Sequence, residues 1–249
     1  MSGHSKWATI KHQKGAKDKA RGKLFGKLIR QVEVAAREGG GDPDMNPTLR
    51  TMFQKARDSS VPMDTIERAI KRGTGELDGV IYEQITYEGY APGGVGVLAE
   101  ALTDNRNRTG ADVRNIFSKN GGSIAEPGAV GWQFERKGYV LVPISVTEDD
   151  LMLAALDAGA EDIADEGELW RVTCDPSDLH KVRTAIEAAG IAVDSSDLTL
   201  VAQNLIDLDT TEMAKKVFRL IDALEDHDDV QNVFANFDVS DSILEAVEA

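Results

Sequence analysis

Near residue 76 the spacing of apolar residues switches from helical to strand-like, so no all-helical or all-sheet fold can hold this chain. Before the switch, apolar side chains recur at three- and four-residue intervals, as on one face of a helix. After it, Ile81, Ile85 and Tyr87 alternate, and residues 95–103 are apolar enough for a central strand. A helical part must be followed by sheet-containing parts. The length of 249 residues suits two or three domains of ordinary size.

In the helical part, a long helix is expected from about residue 16 to 37, stopped by Gly39-Gly40-Gly41 and Pro43. At 100° per residue, Lys19, Lys23, Lys27, Arg30 and Arg37 fall within about 80° of one another, and Leu24, Leu28, Val32 and Phe25 fall opposite them. One helix thus carries a basic ridge and an apolar stripe. Asn46-Pro47 starts a second helix, as an N-cap with proline in the first turn, and presents Leu49, Met52, Phe53 and Ala56. Pro62 opens a third, with Ile66, Ala69 and Ile70, closed by Gly73.

Beyond the switch, residues 89–96 read as a turn between strands. Thr109 and Asp112 read as a capping-box-like helix start before Val113, Ile116 and Phe117. Residues 123–125 and 130–134 are strand-like. Residues 138–201 then alternate cleanly: strand 139–144, helix 148–158, strands 162–165 and 169–174, helix 176–189, and a bent last strand through 191–193 and 198–201. That is β-α-β-β-α-β, the ferredoxin-like order. The helix 211–225 and strand 230–237 that follow cannot form a domain alone, but they can complete the sheet of 80–136. The expected fold is α+β with three domains. A basic helical domain covers 1–79. A discontinuous α/β middle domain combines 80–136 with 204–240. An acidic ferredoxin-like domain, 137–203, is inserted into it, and 241–249 form a tail.

Charge is segregated along the chain. Residues 1–75 hold 16 Lys and Arg against 8 Asp and Glu, whereas residues 76–249 hold 12 against 35. A basic end on an acidic protein points toward a polyanion while the bulk avoids indiscriminate association. Lys6, Lys11, His12, Lys14, Lys17, Lys19, Arg21, Lys23, Lys27 and Arg30 are the candidate phosphate contacts of that end. Residues 1–16 read as a mobile basic arm, and its Trp7 has two roles open to it, stacking on a base or anchoring the arm to the helical bundle. Arg106 and Arg108, between a central strand and a helix N-terminus, can bind phosphate or neutralise nearby acids.

The chemistry expected of an enzyme is missing. Gly22-Lys23 lacks P-loop spacing, and Gly94-Val95-Gly96 lacks the third glycine of a dinucleotide fingerprint. The histidines at 4, 12, 180 and 227 make no metal-ligand pattern. Asp226, Asp228 and Asp229 read as a solvated acidic turn rather than a cation site. Single Cys174 reads as a small core residue in a reducing, cytoplasmic compartment. No catalytic residue, metal or cofactor is expected. No apolar run approaches the roughly 20 residues that span a bilayer, and the apolar face of the first helix is used in the bundle rather than on a membrane. Residues 138–203 carry 3 basic and 14 acidic side chains and lack the basic-aromatic pattern of an RNA-recognition motif. Such a surface repels phosphate and suits a spacer, a protein-binding face or a DNA mimic.

Several longer motifs stand out: Gly3-His4-Ser5-Lys6-Trp7, Ile10-Lys11-His12, Arg21-Gly22-Lys23, Gly40-Gly41-Asp42-Pro43, Tyr87-Glu88-Gly89-Tyr90, Thr103-Asp104-Asn105-Arg106-Asn107-Arg108 and Asn120-Gly121-Gly122. Through them the chain resembles the YebC/PmpR family over nearly its whole length. Where members often carry a proline entering the last helical segment, this chain has Ala202-Gln203-Asn204. The resemblance implies three domains with a helical one first, and an assigned role as a DNA-binding transcriptional regulator. Relatives that include the mitochondrial translational activator of cytochrome oxidase are assigned to translation on the ribosome. The expectation is a non-enzymatic nucleic-acid-binding regulator, acting first on DNA. A ribosome-associated factor binding ribosomal RNA is the alternative, and an acidic protein-interaction scaffold the third reading.

Overall fold

The computed structural model describes the backbone of residues 17–248 and the side chains of residues 22–247. Three helices open it: α1 (Lys17–Gly39), α2 (Pro47–Asp58) and α3 (Met63–Gly73). Asn46 explains their arrangement. Its side-chain oxygen accepts the Leu49 N–H at 3.0 Å, capping α2, while its amide donates to the carbonyls of Ala35 and Gly40 at the end of α1. Gly40 takes φ +89°, which ends α1. Leu28, Val32, Leu49, Ala56, Ile66 and Ala69 form the core between the helices. Leu24, expected on the same stripe, is 37% exposed. The physical reason is length: α2 and α3 have 12 and 11 residues against 23 in α1 and cover only part of it.

The middle domain is built on an antiparallel sheet in the order β3-β1-β2-β9, from β1 (Glu83–Tyr90), β2 (Gly96–Thr103), β3 (Ser123–Ile124) and β9 (Val230–Ala235). The turn joining β1 to β2 places Gly93 and Gly94 at φ +82° and +81°, a region closed to most side chains. Helices α4 (Arg106–Lys119) and α7 (Thr211–Glu225) cover this sheet. Val113 and Phe117 of α4 join Val217, Phe218 and Ile221 of α7 over the strand residues Val97, Ala99 and Val233. The early strands therefore receive a second helix and a fourth strand only after the chain returns. A parallel pair, β8 (Ile206–Asp207) with β10 (Phe237–Asp238), and α8 (Asp241–Glu248) complete the domain.

In sequence, the ferredoxin-like domain falls between the two halves of the middle domain, and its sheet has the order β5-β6-β4-β7: β4 (Phe134–Pro143), β5 (Ala160–Asp165), β6 (Leu169–Cys174) and β7 (Ser195–Ala202). Val140, Val142, Val172 and Cys174 meet Leu151 of α5 (Glu148–Ala155) and Val182 and Ile186 of α6 (Leu179–Ala188). Residues 130–134 were expected as a strand of their own, but Gly131–Gln133 is a 3-10 turn and Phe134 already begins β4. Residues 191–193 are not strand either. Gly190 sits at φ +79° and the Ile191 N–H bonds the Ile186 carbonyl, so Ile191 belongs to the cap of α6.

The chain falls into two compact units, residues 80–135 with those from 201 onward, and residues 18–79 with 136–200. The ferredoxin-like domain, with a core of its own, therefore packs with the helical domain. Arg183 of α6 explains why. Its guanidinium bonds Asp58 at 2.8 Å, the Ser196 hydroxyl at 2.7 Å and Glu187 at 2.9 Å, with only 10% of its side chain exposed. Lys55 of α2 reaches Asp197 at 2.5 Å.

Candidate nucleic-acid interface

On α1, Lys23, Lys27 and Arg30 are half-buried on the side of the helix away from buried Leu28 and Val32. Arg37 departs from the ridge. It lies 3.6 Å from Glu33, a carboxylate with 4% exposure that also binds Arg72 at 2.8 Å, and so helps fasten α1 to α3. The side chains of Lys17, Lys19 and Arg21 lie outside the described residues. So do Lys6, Trp7, Lys11, His12 and Lys14 entirely.

The second candidate cluster is set by the start of α4. Asn105, not Thr109, caps this helix, its side-chain oxygen accepting the Arg108 N–H at 3.1 Å. Arg106, Asn107 and Arg108 are therefore the first helical turn rather than a loop. Thr109 is buried, and its hydroxyl donates to Asp229 Oδ2 at 2.7 Å. The physical reason is that asparagine caps better than a threonine already needed by a buried carboxylate. Asp229, expected in a solvated turn, is only 6% exposed.

The two arginines of this turn meet different surroundings. Arg108 Nη2 lies 2.8 Å from Asp229 and 2.9 Å from Asp104. The bond to Asp229, then that to Asp104, pushes its pKa further up. Arg106 is exposed and has no ion pair among the described residues. It lies close enough to Tyr87 to offset part of the rise that burial imposes on that phenol. Nearby, the Asp229 N–H donates to His227 Nδ1 at 3.1 Å, which leaves His227 Nε2 facing Asp112 at 3.4 Å.

On the helices of the middle domain, sequence patterning overlooked Arg114 and Lys119 of α4 and Lys215 and Arg219 of α7, all of them exposed. Their signal was a helical one. They occupy outward positions on helices whose opposite faces carry Val113, Phe117, Val217 and Phe218. On the ferredoxin-like sheet, Tyr139 lies beneath the Arg171 guanidinium at 5.2 Å, which leaves that ring engaged inside the domain. Among the described residues, no group of three or more His, Cys, Asp or Glu is placed to hold a metal ion, and no helix is long and apolar enough to cross a membrane.

Comparison with known proteins adds to this geometry. Residues 5–76 match the TACO1/YebC protein N-terminal domain, and residues 82–237 match the TACO1/YebC second and third domain. The chain belongs to the TACO1/YebC family. Relatives named "Probable transcriptional regulatory protein" are 58% identical in Thermobifida fusca, over 98% of both chains, and 58% identical in Saccharopolyspora erythraea, over all of both. Another of that name, in Halothermothrix orenii, is 54% identical over 99% of both chains. A solved structure, a conserved hypothetical protein from Aquifex aeolicus, matches with a TM-score of 0.87 and 45% identity. It covers 96% of this chain and 98% of that one. The TACO1/YebC division into a first and then a second and third domain falls where the apolar period changes.

Proposed function

We propose that this chain is a non-enzymatic, cytoplasmic regulator of gene expression that binds nucleic acid, and DNA in the first place. One observation carries the reading: a net charge of +8 over residues 1–75 faces −23 over the remainder. A polyanion is the ligand that such a basic end attracts. The relatives' regulatory name agrees with it. The contacts are assigned to Lys6, Lys11, His12, Lys14, Lys17, Lys19, Arg21, Lys23, Lys27 and Arg30, with Trp7 stacking on a base. Arg106 adds a further phosphate contact, and Arg108 holds the turn that presents it.

Ribosomal RNA is the second reading, which the resemblance to family members assigned to translation implies. Lysine-dominated contacts are nearly blind to base identity and serve either polymer. A protein partner on the acidic domain is the third. Between Lys137 and Arg171 there are nine carboxylates and no Lys or Arg.

The test is a salt titration of binding to duplex DNA. Replacing Lys19, Lys23, Lys27 and Arg30 with glutamine is expected to weaken binding across sequences and to lower the salt slope by roughly one unit per lost phosphate contact. Unchanged binding by a folded variant removes the ridge from the interface.

A further inference from the structure

By count, the middle domain is an unpromising place for a phosphate. Residues 80–136 and 204–240 hold 8 Lys and Arg against 16 Asp and Glu. The fold sorts them. Several of the acids are engaged: Glu88 by backbone N–H groups of Gly128, Val130 and Gly131, Glu100 by Asn232, Asp104 and Asp229 by Arg108, and Asp112 by His227. The cations collect on the outward side of the helix layer. Arg106, Arg114 and Lys119 on α4, with Lys215 and Arg219 on α7, are all exposed and have no ion pair among the described residues.

The two helices run antiparallel. Asp112 near the start of α4 meets His227, just past the end of α7. At the other end, a Cβ on Gly122 would lie 3.2 Å from Leu220 of α7, and one on Gly93 would lie 3.3 Å from Met213, near the start of α7. A Cβ on Gly121, just past α4, would lie 3.6 Å from Pro92 in that same turn. Lys119 therefore lies toward the half of α7 that carries Lys215 and Arg219. No exposed position of α4 is an acid, and the exposed acid of α7, Glu212, is paired with Lys216 at 2.8 Å. From Arg106 to Lys119 the helix spans roughly 20 Å, enough to follow several successive phosphates of one strand.

We infer that the outward face of α4 and α7 is a second polyanion site, which binds the phosphate backbone of nucleic acid. The inference rests on the proposed function and adds a surface outside the basic end. Arginine and lysine supply charge, and Asn115 and Ser118 supply neutral donors of the kind that phosphate oxygens accept.

The experiment uses the full chain, with a 30-base-pair duplex DNA of arbitrary sequence and a structured RNA of equal mass as probes, titrated over salt. The variant Arg114→Gln, Lys119→Gln, Lys215→Gln, Arg219→Gln is expected to lose at least about tenfold in affinity at 0.1 M salt. Its salt slope is expected to fall by up to about three to four units. A loss seen with one probe alone identifies the polymer. The charge-preserving variant Arg114→Lys, Lys119→Arg, Lys215→Arg, Arg219→Lys is expected to keep its affinity, and it separates lost phosphate contact from lost folding. If the glutamine variant binds as the unaltered chain does while the α1 ridge variant does not, this inference falls and the proposed function stands. If the unaltered chain binds neither probe, both fall. If the charge-preserving variant loses as much as the glutamine one, the phosphate assignment is overturned.

Discussion

Arg106 and Arg108 stand two positions apart in one helical turn, and their surroundings give them opposite expected behaviour. Arg108 is held by Asp229 and Asp104, whereas Arg106 is exposed without an ion pair among the described residues. Arg106→Ala is expected to lower nucleic-acid affinity with the melting temperature retained. Arg108→Ala is expected to lower the melting temperature with affinity largely kept, because it removes the guanidinium paired with the buried Asp229. Binding isotherms and thermal melts on both variants check this, and a reversed pattern would exchange the two roles. Glu88 offers a pH test. Burial raises its pKa, but the N–H groups of Gly128, Val130 and Gly131 together outweigh burial and hold it below the ordinary 4.5. A depressed carboxyl stabilises the fold fully above its unfolded pKa, and that contribution fades as pH falls through the folded value. Glu88→Gln is thus expected to cost roughly 1–3 kcal/mol at pH 7. Its deficit against the unaltered chain should shrink by pH 3, as chemical denaturation at the two pH values would report.

Among the elements, legibility followed local signals. The Asn46 cap of α2, the proline starts of α2 and α3 and the glycine stop of α1 were readable because asparagine, proline and glycine act over one turn. The expected stop at Gly73 was not: Gly73 is the buried last residue of α3, Thr74 is the cap, and the positive φ of +84° falls on Gly75. The β-α-β-β-α-β alternation and the late helix and strand were readable from apolar period alone. The start of α4 was misplaced because Thr109 imitates a cap in sequence while its hydroxyl serves Asp229, 120 positions away. Pairing of that range leaves no periodic trace. The same holds for the joint between α2 and α6. Asp58 and Arg183 lie 125 positions apart, and neither is marked in sequence as a buried partner. Removing one member of a buried ion pair typically costs about 3–5 kcal/mol. Arg183→Ala should therefore destabilise the helical and ferredoxin-like domains together. Hydrogen exchange is expected to rise in both α2 and β7 while β2 and β9 stay protected. Faster exchange confined to α6 would mean that the pair carries no joint stability.

Across the whole molecule, the chain separates its charges by position and then by fold. The basic end was legible by counting. The cationic face of α4 and α7 was not, because its residues lie about a hundred positions apart among a surplus of carboxylates, and only packing brings the two helices onto one sheet. Excision of residues 138–201 is accordingly expected to leave the unit containing β1, β2 and β9 folded, but to weaken the helical domain, which loses the partners of Asp58 and Lys55. Protection of β2 amides in the shortened chain would report the first, and loss of α2 protection the second. Regulation of expression by holding nucleic acid is tested by crosslinking in living cells followed by sequencing of the bound polymer. The expected result is enrichment of DNA at promoters, with ribosomal RNA as the pattern of the second reading, and loss of that enrichment in the variant with Lys19, Lys23, Lys27 and Arg30 replaced by glutamine. Recovery of no nucleic acid above the level of that variant would contradict it.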